Sequence, residues 1–423
     1  MLRSKLALTL ALALGALTFT GLALAPQAAY AQDEKPRKLT AKVQKALKAA
    51  QDAMQKEDWD TARAKVAEAE AVEKRSDFDN FQIDEFKTVL AVRSDDLAGA
   101  AQTIERMLAS GFMTPEQETE RLGHLTRIYS RLENYDKALQ YGKRWQDASG
   151  GTNLDAQLLV ADANYRKDNF DAAITEMHKA LEIAQAQGAP VKEPWLQIML
   201  HSYAQKEDEA NVEATLEKLV RQFPKKEYWS QLMGTLHARN EADDRVTLAT
   251  YRLMNELGVL PGADDYIEMA ELANEQGLPG EAVKTMDQGF AAKALEKARD
   301  LPRVKSRTEE FRKLAAGDRK QLASDEKDAR AAKTGEPDAA VGNAFLSHDQ
   351  YDKAVESLQR AVQKGGLKRA DEVQIALGRA LLKLNRKDEA AKAFQAVPQN
   401  SKLARIAQLW ALYAEQQTGA AGA

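Results

Sequence analysis

The chain has 423 residues, of which 44% are hydrophobic, 29% charged and only 6% aromatic, with 11 prolines and no cysteine. That balance suits a soluble, helix-rich protein without one large core, and the missing cysteine excludes a disulfide framework, a thiolate metal site and a lipid-bearing cysteine. Lys and Arg total 60 against 64 Asp and Glu, a net charge of -4 with no blocks of like charge, so there is no nucleic-acid footprint.

In chain order, Arg3 and Lys5 precede an apolar run from Leu6 to Ala25, and Ala29-Tyr30-Ala31 is a small-x-small cleavage site. Residues 1–31 are therefore expected to be a secretory signal peptide, cleaved after Ala31. The alternative is an uncleaved anchor, since about 20 apolar residues span a bilayer. Gly15, Thr18, Thr20, Gly21 and Pro26 weaken that alternative. Both readings carry the rest across the inner membrane, and an export signal on a cysteine-free chain fits a bacterial periplasmic protein. Without Arg3 and Lys5 the mature chain has 58 basic and 64 acidic residues, net -6. Residues 32–38, polar and holding Pro36, are expected to be a flexible tether.

From 39 to 295 the pattern predicts successive helix pairs at 39–73, 81–110, 118–148, 155–187, 193–223, 228–257 and 264–294. Breakers separate them: Gly111, Gly150-Gly151, Gly188 with Pro190, Pro224, and Gly258 with Pro261. Residues 296–335 are nearly all charged or Ala, with Phe311 the lone aromatic, and read either as a degenerate helix pair or as one bridging helix. Residues 336–418 hold two more hairpins, 338–364 and 371–396, and a final amphipathic helix with Ile406, Leu409, Trp410 and Tyr413 at spacings of three and four. Residues 419–423 are expected to be disordered.

The clearest copy of the pattern is VGNAFLSHDQYDKAVESLQRAV, Val341 to Val362. Gly342 admits a close helix approach, Phe345 and Tyr351 fill the space between helices, Asp349 and Gln350 turn the chain, and Ala354 and Ala361 are small at the crossing. Positions equivalent to Ala354 recur at Ala62, Ala100, Ala138, Ala173, Val212, Val246, Ala282 and Ala390, with gaps of 38, 38, 35, 39, 34, 36, 72 and 36 along the whole series. The turn and aromatic recur as well, in EDWDTA, ENYDKA, DNFDAA and DQYDKA. This order resembles the tetratricopeptide repeat. The resemblance implies an all-α, right-handed α-solenoid of stacked hairpins closed by a C-terminal capping helix, because one helix pair cannot bury its apolar face alone.

Catalytic and ligand-binding patterns are missing. His124, His178, His201, His237 and His348 fall on different repeats and form no H-E-x-x-H pair, and neither a phosphate-loop nor a hydrolase-elbow motif occurs. Asp77, Asp79 and Asp84 in SDFDNFQIDE lack a calcium-loop glycine and read as a helix start. No enzyme, cofactor, metal or small-molecule substrate is expected, and membrane contact only indirectly.

Such an array presents a concave face built from its first helices, which usually receives a protein or peptide. Positions 11 and 8 residues before the anchors supply the candidate partner-binding groove: Arg127, Asp162, Tyr165, His201, Glu271, Asn274, Asn343 and Arg379. The mixture of charges, amides and aromatics suits a varied protein surface. A narrower likeness covers 225–413. PKKEYWSQLMGTLHARNEADD, TLATYRLMNELGVL, SRTEEF, AVQKGGLKRADEVQIALGRALLKLNRKDEAAKAF and ARIAQLWALY resemble periplasmic repeat proteins that accompany the TonB system with its ExbB and ExbD proton channel. That likeness departs at 317–335, and it implies an accessory of TonB-dependent outer-membrane uptake with TonB components as partners. The alternative is an adaptor or assembly factor for cell-wall or outer-membrane machinery.

Overall fold

The structure is a computed structural model, and it describes residues 37–240 and 243–417. The expected signal peptide, all but the last two residues of the expected tether and the 419–423 end lie outside the described residues. Among the described residues there are twenty α-helices and no strand, and the fold is an all-α repeat array. No described helix is long and apolar enough to cross a membrane. The chain divides into two compact units, one up to Val212 and one from Glu213.

The first unit contains the hairpins α1 (Ala41–Gln55) with α2 (Trp59–Glu70), α3 (Asp77–Arg93) with α4 (Leu97–Ser110), α5 (Pro115–Arg131) with α6 (Tyr135–Ala148), and α7 (Leu154–Arg166) with α8 (Phe170–Ala186). α9 (Glu193–Gln205) follows, and the boundary between units falls inside α10 (Glu209–Gln222). Each hairpin is made by one local device. The residue five places before the anchor turns left-handed, as at Glu57, Asp95, Glu133 and Asp168, all with φ between 54° and 59°. The next residue starts the second helix, and Asp58, Asp96 and Asn134 cap it by accepting from the backbone N–H three residues on. Ala62, Ala100, Ala138 and Ala173 are fully buried where helices cross. Val212 is half-buried, so its anchor role is looser. Asp79 closes a capping box with Ser76 and Asp84 pairs with Arg106 at 2.5 Å, so the acid-rich stretch is a helix start.

The second unit contains α11 (Lys226–Asn240) with α12 (Asp244–Leu257), α13 (Ala263–Glu275) with α14 (Pro279–Ala291), α16 (Glu336–Ser347) with α17 (Tyr351–Lys364), α18 (Ala370–Lys383) with α19 (Lys387–Gln395), and a last helix, α20 (Ala404–Gln417). Between α14 and α16 the charged segment is one helix, α15 (Leu301–Ala331), about 46 Å long at 1.5 Å per residue. It buries Val304, Thr308, Phe311, Leu322 and Ala329, too few for a hairpin interior. Its first half is tied to the preceding pair by Arg307–Glu271 (2.6 Å) and Arg312–Asp287 (2.5 Å). Its second half is tied to the following pair by His348–Asp318 (2.7 Å) and by the Lys364 ammonium on the Ala329 carbonyl (2.8 Å). α15 therefore braces two hairpins that also touch directly, the Glu281 amide donating to Ser347 Oγ at 3.1 Å.

In the Ala354 hairpin, Gly342 is required by close approach. A Cβ there would stand 2.7 Å from Leu358 Cγ on the partner helix. α20 covers α19: Trp410 stacks on Phe394 with centroids 5.4 Å apart, and Ile406 and Leu409 are buried. α20 does not finish on an open end. Tyr413 meets Trp229 of α11 edge-on at 6.5 Å, and the Gln416 amide donates to the Val220 carbonyl of α10 at 2.8 Å.

Candidate functional site

In the first unit the first helices α5, α7 and α9 hold Arg127, Asp162, Tyr165 and His201 at the register expected for the concave face. Their states differ. Arg127 is drawn out of open solvent by Asp155 at the start of α7 (2.9 Å) and lies 4.7 Å from the centre of the Trp145 ring. Asp162 is buried, with the Arg166 guanidinium at 3.4 Å. Burial raises its carboxyl above the usual range against the lowering effect of Arg166.

Tyr165 and His201 join Phe170 in a ring cluster spanning three helices. The Tyr165–His201 centroids are 5.4 Å apart at 86°, His201–Phe170 6.1 Å at 63°, and Tyr165–Phe170 6.4 Å at 59°. His201 is exposed and the other two are half-buried. Edge-to-face contacts of this kind hold the rings in place while leaving faces open. Burial raises the Tyr165 hydroxyl's pKa, with Asp162 adding to it and Arg166 opposing it, so the carboxylate and the rings belong to one microenvironment.

The two-position rule missed the turn before it. His124 lies 14 residues before Ala138 and faces Arg121 and Glu120. Its imidazole is pushed down to about 4 by burial first and by the Arg121 charge second. Arg121 also approaches Glu85 of α3 at 3.7 Å, and burial raises the Glu85 carboxyl despite that cation. Extending the register by one turn would have found His124.

In the second unit the candidates are drawn into internal contacts. Glu271 binds Arg307 of α15 at 2.6 Å, and Asn274 is half-buried on the same helix, α13. The Asn343 side-chain amide donates to the Ala339 carbonyl of its own helix at 3.0 Å. The expectation that Arg379 stands open is corrected. Its side chain is 17% exposed and bonds Glu281 of α14 at 2.6 Å, where Arg252 of α12 donates to both carboxylate oxygens. Burial alone would raise the Glu281 carboxyl, but the Arg252 and Arg379 charges outweigh it and hold it well below the usual carboxylate range. Asn343 and Arg379 line a cavity of about 40 Å³ together with Glu256, Glu281 and Tyr351. No group of three or more His, Asp or Glu among the described residues is placed to hold a metal ion.

Residues 340–404, from within α16 to the start of α20, match the tetratricopeptide repeat family. No curated protein matches the chain. Among solved structures it is similar to a tetratricopeptide repeat protein from Parabacteroides merdae, at 11% identity over 81% of this chain and 100% of that one, with a TM-score of 0.33. A thermophilic repeat protein of Thermus thermophilus matches at 16% identity over 56% of this chain and 98% of that one, TM-score 0.24. A chain of the Naa15/Naa10 structure bound to HypK-THB matches at 13% identity, 88% and 55% coverage, and TM-score 0.37. Residues 340–404 are thus a tetratricopeptide-repeat segment, and hairpins elsewhere in the chain share its left-handed turn, at Glu57, Asp95, Glu133, Asp168, Glu207 and Gly277.

Proposed function

We propose that this protein is a non-enzymatic scaffold that binds a protein or peptide partner on the first-helix face of its first unit. The observation that carries the reading is the Tyr165–Phe170–His201 cluster. It is an aromatic surface assembled from two successive hairpins, with rings fixed by one another and His201 open to solvent. Rigid aromatic anchors beside a partly desolvated carboxylate, Asp162, are the make-up of interface hot spots.

The export-type sequence of residues 1–31 supports a periplasmic location, and the likeness of 225–413 to TonB-associated repeat proteins supports an accessory role in TonB-dependent outer-membrane uptake. Purified full-length protein with a photo-crosslinker at His201, incubated with the periplasmic domain of TonB, tests both parts. A crosslink that Tyr165→Ala removes supports the whole reading. A crosslink from envelope extract to another protein, lost in the same way, keeps the scaffold and removes TonB. Equal capture of every partner by the Tyr165→Ala/His201→Ala variant, with unchanged helicity, overturns the face.

A further inference from the structure

The second unit closes on itself through charge. Its early part presents a row of acids: Glu213 and Glu217 on α10, Asp243 at the N-cap of α12, Glu256 on α12 and Glu281 on α14. Its late part answers with cations: Arg405 to Glu213 (2.9 Å) and Glu217 (2.7 Å), Lys402 to Asp243 (2.8 Å), Lys383 to Glu256 (2.7 Å) and Arg379 to Glu281 (2.6 Å). These partners lie 98 to 192 residues apart in sequence. One link runs the other way, from Arg245 to Asp371 at 3.2 Å and to Glu372. Apart from Arg379–Glu281, the cationic ends of the pairs reach water, with Lys402 74%, Lys383 42% and Arg405 34% exposed in their side chains against 28% for Asp243, 23% for Glu256 and Glu217 and 13% for Glu213. Pairs open to water at one end are screened by salt. α20 is joined to α19 by the Trp410–Phe394 stack.

We propose that the acidic row Glu213, Glu217, Asp243 and Glu256 is a docking surface for a basic amphipathic helix of a partner protein, occupied in the free protein by the chain's own α18–α20. The occupant's chemistry is read from charge complementarity: α20 and the residues just before it supply Lys402, Arg405 and Tyr413 to Asp243, Glu213 and Trp229, so a helix with basic residues at its start and an aromatic further on fits the same seat. This surface is independent of the ring cluster in the first unit.

The test uses the full chain with Lys383→Glu, Lys402→Glu and Arg405→Glu together, and a labelled synthetic peptide of residues 399–417 as the probe. Amide exchange in α12 and α20 is expected to rise about tenfold with circular dichroism unchanged, because repulsion replaces weak attraction. The peptide should bind the triple variant and not the wild type, and binding should fall about tenfold from low to high salt. A double variant with Glu256→Lys and Lys383→Glu should behave as wild type, since it restores that pair without touching the cap of α12. If the triple variant loses helicity, Lys402→Glu alone, at an exposed position, should still raise exchange at the start of α12. Wild-type exchange at the seam in that variant, equal peptide binding to wild type and triple variant, or binding indifferent to salt overturns the proposal.

Discussion

The backbone amide of Gln350 donates to the carbonyl of Phe345 at 2.9 Å, closing the turn around Asp349, which sits at φ 60°. The same six-residue closure recurs from Asp58 to Ala53, Asp96 to Ala91, Asn134 to Tyr129, Asn169 to Asn164, Asp208 to Tyr203, Leu278 to Ala273 and Arg386 to Leu381. It joins the amide three places past the helix end to the carbonyl of its last turn, with a left-handed residue between. Glycine holds that left-handed position at Gly277, whereas Glu, Asp or Asn does so at the other seven closures. A side chain in that conformation costs roughly 1 kcal/mol. Glu133 is exposed and sits at φ 54°. Glu133→Gly should therefore raise stability by about 0.5 kcal/mol, after the larger chain entropy of unfolded glycine is subtracted. Denaturant melts showing a loss would mean that local contacts of Glu133 outweigh the strain.

Ala354 has no exposed surface at the crossing of α16 and α17. Ala354→Leu should lower stability by about 1–3 kcal/mol through overpacking. Gly342→Ala, where a Cβ would stand 2.7 Å from Leu358, should cost a similar amount. An unchanged thermal midpoint in both variants would contradict so tight a crossing.

The hairpins were legible because turn, aromatic and alanine are local signals: positions −5, −3 and 0 relative to each anchor lie within two turns of chain. Where local signal ended, so did the reading. The 301–331 helix and a worn hairpin share one charged, Ala-rich composition, and only the ties of its two halves to different hairpins distinguish them. The groove candidates divide in the same way. Register fixed which face Arg379 occupies, but not that Glu281, 98 residues away, covers it.

His124 makes the first unit sensitive to acid. Its ordinary pKa of 6.5 is pushed down to about 4 in the folded chain by burial first and then by the Arg121 and Arg127 charges, against the opposing Glu120. The unfolded chain therefore takes up a proton at a pH where the folded chain does not. The stabilisation is full above pH 6.5 and is lost as pH falls toward 4, on the order of 3 kcal/mol in all at 1.36 kcal/mol per pKa unit. His124→Gln should flatten that part of the stability profile. An equal slope in variant and wild type between pH 6.5 and 4 would assign the acid loss to other groups.

Arg379 and His201, read alike from sequence, should behave oppositely. Arg379→Ala leaves the buried Glu281 carboxylate to Arg252 alone and should cost about 1.5–3 kcal/mol, because a hydrogen bond between buried charged groups is lost. His201→Ala, at an exposed position, should stay within about 0.5 kcal/mol. Equal melting shifts for the two would contradict the burial of the Arg252–Glu281–Arg379 triad.

Removal of α20 tests the end of the array. Truncation after Ser401 takes away Trp410, Ile406 and Leu409 and uncovers Phe394, which is now 1% exposed. An apolar face left open favours association, so the truncated protein should self-associate at concentrations where the full chain is monodisperse in light scattering. The same cut removes Arg405 and Lys402 from the acidic row, so fraying should also reach α12, far from the new terminus in sequence. Amide exchange would separate the effects: rapid exchange in α18 and α19 reports the lost cap, and rapid exchange at the start of α12 the lost ion pairs. Protection at α12 equal to that of the full chain would show that the row of acids does not depend on the helix it faces.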